Sequence, residues 1–301
     1  MEKKEYYKLK AENALLKKKG SEFQEFVNDI LAFYYGTDFE RVKSHGKDGD
    51  FKCDGRVPKK GIIFQCYGPE VDNESRLIKK IEEDLKGAIE KWSDIKEWIF
   101  VHNKSGLSPK TLKVIDKLRE DNSNIEIIIW DCQKLLTIIL GLNETCLQRL
   151  FGFFPSESDF NQIGIKEVND MGHLIKGLLE AYPEYDKFYD PDPIVPSVYK
   201  LKKNNLYQCI IDFITLGRHK SSLVKTYFSS LPDPDFAEKI AEKFRKKYQK
   251  LKNNGYNPNQ IFYEICTFLG EKNFSSSLET ACMYSYIAYF FDECDIFENP
   301  D

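Results

Sequence analysis

Apolar residues change period repeatedly through the first half of the chain and settle to a single period in the second. Residues 3–19, rich in Lys, Glu, Ala and Leu, predict a helix. In "GSEFQEFVNDILAFYYG" a second helix follows behind Ser21 as N-cap, with Phe23, Phe26, Val27, Ile30, Leu31 and Tyr34 on its core face. The period then shortens. "FERVKSHGKDGD" predicts a short strand running into a Gly-Asp loop, and "GDFKCDGRVPKKGIIFQCYGPE" predicts a hairpin turning at "VPKKG". "ESRLIKKIEEDLKGAIEKW" is amphipathic at helical spacing, and "EWIFVHN" is a mostly apolar strand suited to the middle of a sheet. "SPKTLKVIDKLRED" opens on Ser108 as cap and Pro109 at the first helical position. "IEIIIWD" is another buried strand, and "CQKLLTIILGL" begins a helix behind it. Helix, three-strand meander, helix, strand, helix, strand predicts an α/β sandwich around a mixed sheet.

"LFGFFPSESDF" breaks this alternation and puts a domain boundary near residue 155. Beyond it, residues 161–181, 205–217, 219–230, 234–252, 258–270 and 276–291 keep helical spacing, separated by "YDPDPIVP", "LPDPD" and "NNGYNP". They predict an antiparallel bundle of about six helices. The expected organisation is therefore 1–155 as an α/β domain and 156–301 as an all-α domain.

Composition changes this picture little. The 301 residues are 42% hydrophobic and 14% aromatic, so the chain has ample material for two cores. No apolar run approaches the roughly 20 residues that span a bilayer, and "MEKKEYYKLK" lacks a signal-peptide core, so a cytoplasmic protein without membrane contact is expected. The eight cysteines form no CxxC pair and only four histidines accompany them, which argues against a zinc site. Net charge is −4, which excludes a general basic coat. Residues 1–155 carry 27 Lys and Arg against 26 Asp and Glu, and residues 156–301 carry 17 against 22. Phosphate contact, if made, belongs to the first part and is local. The run "KKYQK" reads as a solvated helix face, the N-terminal "KKEYYKLKAENALLKKK" as an amphipathic helix with a DNA-contacting arm as the alternative, and no GxxxxGK[ST] loop is present to bind a nucleotide.

The chemistry concentrates in the hairpin. Asp50 and Asp54, with Lys52 between them, are expected on one face of its first strand if that strand is regular, and Gln65 and Tyr67 on one face of the second. Polar residues on an exposed hairpin are ordinary one by one. Their order, between a leading helix and a following one, resembles the PD-(D/E)xK nuclease core. In that chemistry a divalent metal activates water and neutralises charge on the phosphoryl group, and hard Mg²⁺ takes carboxylate, carbonyl and water oxygens. The resemblance makes Mg²⁺, with Mn²⁺ as substitute, the expected cofactor, held by Asp50, Asp54 and Gln65. Gln65 stands in the D/E place, as in Mrr-type restriction endonucleases. Tyr67 stands in the lysine place, a serious departure. The missing amine can come from Lys52, beside Asp50, or from Lys80 on the next helix, with Asp84 one turn later; Lys80 is preferred because its helix can lie over the strand ends. Glu25, or Glu22, is expected to complete the ligand set, since Gln24 occupies the position of the Mrr-type glutamate. His45, Lys47 and Lys79 are expected to touch DNA.

The stretches "FQEFVNDIL", "GDFKCDG", "FQCYGPE", "KKIEEDLKGAIEKW" and "WIFVHN" together resemble the N-terminal nuclease-like domain of bacterial ABC three-component systems, the group that includes the Lamassu-type antiphage systems. The terminal "AYFFDECDIFENP" resembles their helical C-terminal region. The resemblance implies a restriction-endonuclease-like fold and a DNA endonuclease effector, restrained by an SMC-like ATPase and a small middle subunit and homo-oligomeric when active. A non-catalytic DNA-binding or scaffold subunit of the same kind of complex is the alternative. The tail "YIAYFFDECDIF" reads either as a docking helix with an acidic rim or as a core helix of the bundle.

Overall fold

The computed structural model describes residues 3–43, 51–181, 197–293 and 296–299. Contacts divide the chain into two compact units, residues 7–150 and residues 1–6 with 151–301. The break lies at 150/151, slightly ahead of the one expected near 155, and the first six residues group with the helical unit.

In the sheet unit, α1 (Lys3–Lys17) and α2 (Gly20–Tyr35) precede β1 (Glu40–Arg41), β2 (Gly55–Val57) and β3 (Ile62–Tyr67). Then come α3 (Glu74–Lys91), β4 (Glu97–His102), α4 (Pro109–Asp121), β5 (Glu126–Trp130), α5 (Cys132–Leu140) and α6 (Glu144–Phe151). The five strands lie in the order β1-β2-β3-β4-β5. The first three pair antiparallel and the last three parallel, so the sheet is mixed as expected. In register, Gly55 faces Phe64 across the hairpin, and Gln65 and Tyr67 lie beside Phe100 and His102 of β4.

The helices form where the pattern predicts, but α2 begins at Gly20 with Lys19 at its N-cap and no side-chain cap, so Ser21, expected as the cap, lies inside its first turn. The Asn73 side chain accepts from the Arg76 N–H at the start of α3, and Ser108 accepts from Thr111 at the start of α4. The buried stripe of α3 is Leu77, Ile81, Asp84, Leu85 and Ala88. With Ile63, Trp98, Phe100, Ile115 and Ile127 the apolar members of that stripe make the core on one side of the sheet. On the other side Phe64 packs against Tyr35, Phe39 and Trp130. Tyr34, expected in the core face of α2, is 53% exposed; its ring meets only the edge of Tyr35 in the last turn.

The hairpin departs from expectation at its first strand. Phe51 and Lys52 have φ of 53° and 59°, the left-handed region, so the chain turns there and β2 begins only at Gly55. Lys52 and Asp54 therefore precede the strand, and the alternation that gave them a common face with Asp50 does not apply. Asp50, His45 and Lys47 lie outside the described residues.

The helical unit contains α7 (Glu157–Gln162), α8 (Ile165–Ala181), α9 (Ser197–Lys203), α10 (Gln208–Arg218), α11 (Ser221–Ser229), α12 (Phe236–Asn253), α13 (Pro258–Phe268) and α14 (Ser277–Glu293). That is eight helices among the described residues where about six were expected; α7 and α9 are too short to show a full apolar period. The bundle is built around α14, whose residues Thr280 to Phe291 are all buried. Tyr284 stacks on Phe213 with centroids 4.3 Å apart, and Phe290 meets Phe244 edge-on at 5.1 Å. α10 comes so close at Gly217 that a Cβ there would fall 2.8 Å from the Tyr284 carbonyl oxygen. The tail is thus a core helix and not a docking helix. An element apolar all round finds enough contacts only when surrounded.

Candidate active site

Asp54 is the centre of the site. Only 3% exposed, it sits just ahead of β2, and its N–H donates at 2.8 Å to the carbonyl of Phe64, the residue that Gly55 also faces in register. Both carboxylate oxygens are engaged. Oδ1 accepts from Gln24 Nε2 and Oδ2 from the Cys66 N–H, each at 2.6 Å. Gln24 reaches it because Gly68 lets α2 begin against the end of β3. The Gly20 N–H donates to the Gly68 carbonyl at 2.6 Å, and a Cβ on Gly68 would fall 2.6 Å from Phe23 Cγ. Burial raises the Cys66 thiol well above its ordinary range, and the Asp54 carboxylate pushes it the same way.

Gln65 is equally buried at 3%, yet among the described residues its Oε1 has no hydrogen-bond partner. A buried carbonyl without a donor costs about 1–3 kcal/mol. Such a group signals a water, an ion or a ligand at its mouth. Tyr67 is half-buried and lies against Phe100, centroids 6.1 Å apart. Its ring fills space that a lysine stem would leave partly open.

The two lysines proposed to replace the missing amine converge on one carboxylate. Asp84 is fully buried; Lys80 Nζ lies 2.5 Å from its Oδ2 and Lys52 Nζ 3.0 Å from its Oδ1. The pairing is by charge and distance, since neither oxygen has a hydrogen bond of good geometry. Lys52 gets there across Gly87, where a Cβ would stand 2.6 Å from Lys52 Cγ. Breaking such a pair leaves a buried charge, so these amines are first of all counter-ions.

The remaining expected residues divide. Glu25 is exposed and pairs with Arg41 at 3.4 Å, and Glu22 is exposed; the first helix sends Gln24 to the site instead. Lys79 pairs with Glu83 at 3.6 Å on an exposed turn of α3. Among the described residues no three His, Cys, Asp or Glu side chains gather to hold a metal. The residues present still fit Mg²⁺, which takes one or two carboxylates and completes its shell with water: Asp54 offers a carboxylate, and among the described residues Gln65 Oε1 is unclaimed.

His102 was not foreseen. It ends β4 beside Tyr67 in register, is 1% exposed, and its Nδ1 accepts from the Lys104 N–H at 3.2 Å. The accepting Nδ1 requires a neutral ring, with the proton on Nε2, which has no partner. Burial lowers its pKa to about 4. Asn103, next in the chain, also has a buried and unpartnered Nδ2. The available signal was the polar pair that closes the apolar run "EWIFVHN".

Residues 169–298 match the family model of C-terminal domain 10 of the ABC-three component (ABC-3C) systems. The match covers rather less than half of the chain, all of it in the helical unit, and supports a place for this protein in such a multi-component system. No curated protein and no solved structure matches. No described helix is long and apolar enough to cross a membrane.

Proposed function

We propose that this chain is the nuclease-type effector of an ABC three-component antiviral system. Residues 7–150 would act on DNA, and the helical unit would hold it in a complex with an SMC-like ATPase and a small middle subunit. One observation supports the reading: a buried carboxylate is aimed by Gln24 and by the N–H of Cys66, and the residue before Cys66 in β3, Gln65, keeps a buried amide carbonyl that nothing among the described residues satisfies. Asp54 and Gln65 would hold Mg²⁺ or Mn²⁺, with Asp50 as a further candidate ligand. When bound, the ion supplies a Lewis acid that lowers the pKa of a water and neutralises phosphoryl charge. Gln24 fixes the carboxylate, Tyr67 and Phe100 keep bulk water from one side of the site, and Lys80 and Lys52 set a positive field beside it. A break in both strands needs two such sites, which favours a symmetric homo-oligomer in the active state.

Cleavage of linear duplex by the assembled complex, with Mg²⁺ and with chelator, tests this together with Mn²⁺ binding followed by electron paramagnetic resonance. Asp54→Asn should abolish cleavage and weaken Mn²⁺ binding at least tenfold. Unchanged Mn²⁺ binding would remove Asp54 from the ligand set.

A second reading, a DNA-binding scaffold that has lost catalysis, is favoured by Tyr67 in the lysine place and by the engagement of both nearby amines with Asp84. Under it, the complex binds duplex and never cuts it with either metal. Under the first, Lys80→Ala lowers turnover more than binding.

A further inference from the structure

The nuclease reading leaves one charged surface of the sheet unit unused. On α4, Lys110, Lys113 and Lys117 are exposed and line a shallow groove with Pro109 and Val114, and no acidic side chain contributes to its lining. Three other lysines, on α3 and on the connection from β4 to α4, are neutralised. Lys79 and Lys86 on α3 pair with Glu83 and Glu90, and Lys104 pairs with Asp72. Lys110 lies 4.0 Å from Glu74, at the limit of an ion pair, while among the described residues Lys113 and Lys117 have no carboxylate partner.

The placement gives this strip a direction. β3 and β4 run parallel, with Gln65 and Tyr67 in the last half of β3, and the chain leaves β4 at His102 to begin α4 seven residues later. Ser108 and Glu74, at the starts of α4 and α3, are hydrogen-bonded, so both helices start from the sheet end that holds the candidate site. From there the lysines recede along one face at spacings of three and four residues. At 1.5 Å per residue the strip is about 10 Å long, or about three steps of one DNA strand at 3.4 Å each.

We propose that this face of α4 is a track for the phosphate backbone of duplex DNA, leading it to the sheet end that carries Asp54 and Gln65. The proposal rests on the nuclease reading for the identity of the polyanion. Lysines with no carboxylate partner give up no ion pair on meeting phosphates, and their counter-ion release makes the contact independent of sequence.

The test measures the full 301-residue chain binding a random-sequence duplex by fluorescence anisotropy, in chelator, from 50 to 200 mM salt. Four proteins are compared: wild type, Asp54→Ala, Lys113→Glu/Lys117→Glu, and Lys166→Glu/Lys250→Glu as a control with the same change in net charge. The track variant should bind at least tenfold more weakly, and its log–log salt slope should flatten by about 1.8, or 0.9 for each lost contact. The control should keep the wild-type slope. All of these positions except Asp54 are exposed, and circular dichroism verifies folding. A track variant with the wild-type slope, while Asp54→Ala still binds, overturns the track and leaves the nuclease reading standing. If that variant instead loses an acidic protein of the complex, the surface is a protein interface and the DNA track is wrong. Absence of duplex binding by wild type at 50 mM salt overturns both readings.

Discussion

Glu271 in the helical unit and Gln65 in the sheet unit are each 3% exposed. Glu271 Oε1 accepts from Tyr6 at 3.1 Å and from Tyr284 at 3.4 Å, and Tyr6 donates also to the Phe153 carbonyl. Gln65 Oε1 accepts from nothing. The contrast extends beyond the two residues. In the bundle, buried Lys200 donates to the Phe291 carbonyl at 2.8 Å, Asn259 accepts from the Tyr207 N–H, and Arg218 clasps Asp292 through two bonds. In the sheet unit Gln65, His102 and Asn103 all keep unused hydrogen-bonding atoms toward the ends of two adjacent parallel strands. These pairs help to fix the bundle's packing, although Ser221 Oγ and the Tyr227 hydroxyl are buried there without a described partner. The sheet holds several in reserve at the edge where strands end and helices begin, the usual place for a ligand in an open α/β sheet. Stability and function are thus built from the same residue types, distinguished by whether the partner is inside the chain.

The largest expected effect falls on the closed side of the comparison. Deleting residues 286–301 removes Tyr286 to Phe291, every one of them buried, and with them the Lys200 and Arg218 contacts. Truncating even one such aromatic to alanine costs about 3–5 kcal/mol, a large part of a domain's whole stability. The truncated chain should lose the cooperative melting of its bundle and much of its helical circular dichroism. A wild-type melting curve would show that the α14 core is dispensable.

The next test sets the two groups directly against each other. Glu271→Leu strips the buried Tyr284 hydroxyl of its acceptor, leaves Tyr6 only the Phe153 carbonyl, and should destabilise by about 1–3 kcal/mol. Gln65→Leu removes a carbonyl that has no donor and should be neutral or stabilise by about 1 kcal/mol, while weakening metal binding. Urea unfolding of both variants measures the difference. Equal losses would mean that Gln65 has a partner after all.

Much of this was legible in the chain. The order of elements in the sheet unit followed from the changes of period, and so did the hairpin that brings Asp54 to β3. The left-handed turn at Phe51 and Lys52 was not legible, because neither residue type favours it and no glycine marks it; it shortened β2 and removed the common face assigned to Lys52 and Asp54. The burial of Asp84 was written in the sequence and overlooked. It falls on the stripe Leu77, Ile81, Leu85, Ala88, one turn from Lys80, so an acid there had to find a cation. Likewise α14 carries no charge between Glu279 and Asp292, which suits a surrounded helix better than a docking one.

Acid should expose the reserve at the strand ends. His102 is neutral in the folded state because burial lowers its pKa from 6.5 to about 4. Between those values the unfolded chain binds the extra proton, so stability is fully present above pH 6.5 and falls as pH drops toward 4. The full shift corresponds to about 3 kcal/mol. His102→Asn should flatten the decline in melting temperature over that window and leave the neutral-pH slope alone. An unchanged acid limb would mean that the imidazole is already charged, which its accepting Nδ1 does not allow.

The smallest expected effect concerns Lys79, assigned to DNA from the sequence. Its ammonium lies 3.6 Å from Glu83, one turn along an exposed face, and its side chain is 74% exposed. An i,i+4 pair of this kind contributes about 0.3–0.5 kcal/mol and is screened by salt. Lys79→Ala should therefore shift urea unfolding by no more than that. Its effect on DNA binding discriminates more. A lysine already paired must give up its carboxylate to meet a phosphate, whereas Lys113 and Lys117 give up nothing. Lys79→Ala should flatten the salt slope by clearly less than the 0.9 expected for a full phosphate contact. Adding Glu83→Ala to the wild type frees the amine and should steepen it. A full loss from Lys79→Ala alone would move the DNA path from α4 to α3 and place the unpaired lysines of α4 off it.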